Sequence, residues 1–136
     1  MEFSMATWHQ KDKEEIEFRI SAINQILDMW IRYDTLFRHA YRDKEATVEE
    51  EDEFFKLKGQ LARRHQYLLE YLGKEYEKAE PITSYLSDTV TLKGMIGIHF
   101  DFYKKLRVQW HATFLRLNEA LGYLLTHLEL EIPLEN

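Results

Sequence analysis

With 136 residues, 45% apolar and 31% charged, the chain is expected to fold as one domain over 1–136 with a core of its own. Eighteen basic against 24 acidic residues, a net charge of −6, argue against a nucleic-acid binder, which needs a basic surface to displace counterions from phosphates. The lack of cysteine excludes disulfides, thiolate catalysis and cysteine-ligated zinc, and no run approaches the ~18 uninterrupted apolar residues of a membrane span.

The first twelve residues lack the apolar centre of a signal peptide, so a cytoplasmic location is expected. The first long helix is predicted from Ala6 to Arg42. Ile16, Ile20, Ile23, Leu27, Trp30, Asp34, Phe37 and Tyr41 recur at alternating spacings of four and three, the seam of near-parallel helix packing. Asp34 is the one polar member of that seam. A turn is expected at Asp43–Ala46.

Thr47-Val48-Glu49-Glu50 then reads as a capping box opening the second helix. The acidic run Glu49–Glu53 falls in its first turns, where the helix dipole favours negative charge. Phe54, Phe55, Leu61, Ala62, Leu68, Leu69, Leu72 and Tyr76 are assigned to its buried face, and Pro81 ends it. Gly59 and Gly73 each cost about 1 kcal/mol relative to Ala inside a helix, which points to close helix approach or a crowded aromatic neighbour.

Between Pro81 and Lys93 a short helix closed by Gly94 is preferred over a cap at Ser87 or Asp88 opening a helix that continues through Gly94 and Gly97. The last long helix is predicted from Met95 to Glu131, with Ile96, His99, Tyr103, Leu106, Trp110, Phe114, Leu117, Leu121, Leu124 and Leu128 as its stripe. The tail Ile132-Pro133-Leu134 is expected to be extended. The whole reads as all-α, an antiparallel up-down-up bundle of three long helices plus one short helix.

No residue three positions before a histidine is acidic, and no two histidines stand four apart, so the carboxylate–histidine pairs of metal-binding bundles are missing. No phosphate loop or nucleophile motif occurs. Neither an enzyme nor a metal or other cofactor is expected. His65 and His99 lie on predicted apolar faces and are candidate buried histidines. Folding the helices about their turns brings Asp34, Lys58 and Asn118 to one level, a candidate buried polar layer that fixes register. Lys104, Lys105 and Arg107 read as a solvated basic group. Trp30, Tyr103 and Trp110 are candidate linings of an interhelical pocket.

Aromatic residues make up 14% of the chain, more apolar surface than three slender helices readily cover, so a protein partner, most simply a second copy, is expected. The leading function is a non-enzymatic protein-interaction or scaffolding module. The alternative is a small-ligand-binding or sensory bundle with an aromatic pocket.

Overall fold

Helices account for all the regular structure among the described residues, 5–72 and 81–131 of a computed structural model: α1 (Met5–Asp43), α2 (Val48–Leu72), α3 (Pro81–Asp88), α4 (Leu92–Ile96) and α5 (Phe100–Glu131). The fold is all-α, and no described helix is long and apolar enough to cross a membrane.

The predicted seam explains why α1 is central. Ile16, Ile23, Leu27, Trp30, Phe37 and, from the adjoining stripe, Ile26 and Tyr33 are buried, each such side chain being worth about 1.5–3 kcal/mol when fully removed from water. With apolar residues spread over more than one stripe, α1 packs against α2, α4 and α5 at once. It stops at Lys44, whose φ of 58° lies in the left-handed region. The Lys44 amide donates to the Ala40 carbonyl at 3.0 Å, closing the helix end, and its ammonium donates to the Ile96 carbonyl at 3.1 Å, tying that end to α4.

The predicted capping box opens α2. The Glu50 amide donates to Thr47 Oγ1 at 3.1 Å and the Thr47 amide donates to Glu50 Oε1 at 2.9 Å; the amide it accepts from Thr47 is the largest reason the Glu50 carboxyl is held below its ordinary range. Phe54 and Leu61 point inward, but Phe55 and Ala62 are exposed, contrary to the sequence assignment. Successive helical residues diverge by about 100°, so Phe54 and Phe55 cannot both face the core. Residues 73–80, with Gly73 and Tyr76 among them, and the residues after Glu131 lie outside the described residues, as do the side chains of Leu68, Leu69 and Leu72.

Two short helices, not one, fill the connector. Thr91 caps α4, accepting from the Gly94 amide at 2.9 Å. A Cβ at position 94 would stand 3.0 Å from Thr91 Oγ1, which is why glycine sits there. The chain breaks at Gly97, and the last long helix begins at Phe100 and not Met95.

Candidate functional site

Asp34 is 1% exposed, held by α1 between Trp30 and Phe37. Its Oδ1 accepts from Arg107 Nη1 of α5, and its Oδ2 accepts from Arg38 Nε at 2.9 Å. Burial pushes this carboxyl above its ordinary range, while the Arg107 and Arg38 guanidiniums pull the other way. Arg107 lies 5.2 Å over the Trp110 ring and also donates to His111 Nε2 at 3.3 Å. The predicted layer of Asp34, Lys58 and Asn118 is therefore not the arrangement found. Asn118 is exposed and donates to the Phe114 carbonyl of its own helix at 2.9 Å. Asp34 sits level with Arg107, three turns before Asn118, because α5 starts beside the C-terminal end of α1, where Tyr103 meets Tyr41, and not at the far end that an up-down-up order requires.

Lys58 serves a second cluster. It donates to the Thr89 carbonyl and, at 2.7 Å, to the Val90 carbonyl, satisfying backbone just past the end of α3. Burial lowers its ammonium pKa, with Glu51 opposing. Tyr33 Oη donates to Thr89 Oγ1 at 2.7 Å, and that hydroxyl in turn donates to the Tyr85 carbonyl at 2.8 Å. Desolvation, partly offset by this bond, raises the Tyr33 phenol. The chain of bonds runs from α1 through the α3–α4 junction to α2.

Trp30 and Trp110 stack with ring centroids 6.2 Å apart and planes 2° from parallel. Each indole N–H donates to the other residue's backbone carbonyl, Trp30 at 3.1 Å and Trp110 at 3.0 Å. Tyr103 stacks on Tyr41 at 3.9 Å. These three aromatics pack against neighbouring rings and do not line an open pocket, because flat rings at these spacings fill the space between α1 and α5. An opening lies elsewhere, a cleft of about 470 Å³ between α1 and α2 bordered by Phe18, Gln25, Gln60, Arg63 and Arg64. Arg64 donates to Gln25 Oε1 there at 2.6 Å.

The two histidines part company. His65 is buried at 7% exposure, and desolvation lowers its pKa from the ordinary 6.5. His99 is exposed, because the helix starts after it and not before. Its Nδ1 accepts from the Asp101 amide at 3.1 Å, an N-cap role. A depressed histidine pKa means the unfolded chain binds the proton first, so stability falls as pH drops below about 6.5. Denaturant titrations at about pH 7 and about pH 5 should show a larger acid loss for the unmodified chain than for His65→Gln. Equal losses would remove His65 as the cause.

Sequence reasoning missed two charged contacts. Arg107 was read as solvated, although its place four residues after Tyr103 and three before Trp110 puts it at the stripe's edge. His39 bridges Asp43 at 2.7 Å and the capping residue Glu50 at 3.5 Å, joining the end of α1 to the start of α2. Among the described residues, no three histidine or carboxylate groups converge as a metal site would require. The chain matches no family model, no curated protein and no solved structure.

Proposed function

We propose that this chain is a non-enzymatic protein-interaction module, a bundle in which α2 and α5 both run antiparallel to α1, and that it acts through its outer faces and associates with itself. Pairings in opposite sequence directions support this arrangement over the up-down-up order expected from the sequence. Between α1 and α2, His39 meets Glu50, Arg32 meets Glu53 and Gln25 meets Arg64. Between α1 and α5, Tyr41 meets Tyr103, Asp34 meets Arg107 and Trp30 meets Trp110.

One observation carries the functional reading. The charged and aromatic groups that sequence reasoning offered as chemistry are consumed by internal bonds, whereas large apolar side chains stand outside: Phe55 at 76% exposure, Val48 at 74%, Val108 at 69% and Leu115 at 60%. Light scattering at two well-separated concentrations is expected to give a mass rising toward twice that of one chain. A single-chain mass at every concentration would contradict self-association.

The α1–α2 cleft favours a second reading, a small-ligand site. Phe18 offers an apolar wall, and Arg63 and Arg64 offer two cations suited to an acidic aromatic molecule. Thermal-shift screening of such molecules against the unmodified chain and Arg63→Ala separates this reading from the first.

A further inference from the structure

Val48, Asp52, Phe55, Gly59, Ala62 and Gln66 recur along α2 at spacings of four, three, four, three and four. That is a second heptad seam, and it lies off the core-facing line of Phe54 and Leu61. Every member but Gly59 is exposed, and Gly59 is half-buried. Among the described residues nothing crowds Gly59, since a Cβ built there meets nothing within 4 Å. A helix-interior glycine lowers helix stability, and here it leaves a bare stretch of backbone open on the outer face.

Charge on this face is divided along the helix. Glu49 and Asp52 lie in the first turns, and Lys56 and Arg63 follow. None of the four has an ion-pair or hydrogen-bond partner among the described residues. Such a face cannot pair with itself in parallel without opposing like charges. Turned antiparallel about a two-fold axis, it sets the acidic first turns against Arg63 of the second copy, with Lys56 alone meeting its own copy at the axis.

We infer that this face of α2 is the contact through which two copies of the chain pair, antiparallel. The inference rests on the self-association proposed above and names its surface. The heptad positions fix the layers. Phe55 packs over Gly59 of the second copy, Asp52 falls opposite Ala62, and Val48 falls opposite Gln66. The two-fold axis repeats each layer. Glu49 and Asp52 then lie beside Arg63 of the second copy, twice. Phe55 gains a flat backbone platform, as a hot-spot aromatic requires.

Sedimentation equilibrium tests the surface. Phe55→Asp should weaken pairing at least about 30-fold, the scale of a central aromatic anchor. Val108→Asp, on the exposed side of α5, should leave pairing unchanged. Because both positions are exposed, both variants should keep the helical circular dichroism of the unmodified chain. Arg63→Glu alone and Glu49→Arg/Asp52→Arg alone should each pair weakly, and their mixture should form a heterodimer as tight as the original. Rising salt should weaken the unmodified pair. A unmodified chain that stays single up to about 1 mM would overturn both the inference and the self-association behind it. Pairing broken by Val108→Asp and not by Phe55→Asp would overturn the α2 surface alone. Failure of the mixed variants to pair would overturn the antiparallel orientation.

Discussion

Trp30→Ala should destabilise the chain by about 3–5 kcal/mol, the usual cost of emptying a large aromatic site. Trp30 is wholly buried and touches Tyr33, Tyr85 and Trp110. Its removal leaves a cavity bounded by three rings that are themselves pinned by other contacts, so collapse is limited. The indole N–H bond to the Trp110 carbonyl goes with it. A loss of that size is a large fraction of the 5–15 kcal/mol that holds a typical domain folded. Denaturant unfolding checks it. Trp30→Phe keeps most of the ring contact and loses the N–H donor, and should cost roughly 1–2 kcal/mol. Equal losses for the two variants would mean that ring volume is not what Trp30 contributes.

Arg107→Met should cost about 3–5 kcal/mol, because it strips the main partner from a buried carboxylate. Asp34 would keep only Arg38, whose side chain is half-exposed and therefore screened. Burial already pushes the Asp34 carboxyl upward, and losing Arg107 removes the largest opposing influence. The sign follows from linkage. A carboxyl raised in the folded state binds a proton there before it does so in the unfolded chain. Its contribution is therefore most favourable at low pH and diminishes as pH rises through the folded value. Arg107→Met should accordingly recover part of its loss in mild acid, more than the unmodified chain does. Asp34→Leu/Arg107→Met, with both charges gone, should recover most of it at neutral pH. A double variant as unstable as the single one would show that the pair does more than satisfy charge.

Much of this architecture was legible from spacing alone. The α1 seam from Ile16 to Tyr41 and the Thr47–Glu50 box are local patterns, and local patterns depend on neighbours a few residues away. That Asp34 interrupts an apolar seam was equally legible. Its partner was not. Finding Arg107 requires the level of α5 against α1, and that level depends on how α3 and α4 spend the connector. An up-down-up order starts the last helix at the far end of α1 and so put Asn118 at the wrong height, and starting that helix at Met95 carried His99 onto an apolar face it never joins. Trp30 and Trp110 were read as pocket walls because aromatic composition shows abundance, whereas stacking and N–H geometry decide whether a space is filled. Phe55 went to the core for a related reason. Two adjacent phenylalanines look like one apolar cluster until the helix turns them apart.

The proposed function uses the outer faces because paired indoles fill the space between α1 and α5. Proton nuclear magnetic resonance of the unmodified chain should show the Trp30 and Trp110 indole N–H signals slow to exchange with solvent. Each should give a nuclear Overhauser contact to the other ring. Rapid exchange of both, or contacts from either indole only to its own helix, would contradict the register of α1 against α5 and with it the filled space between them.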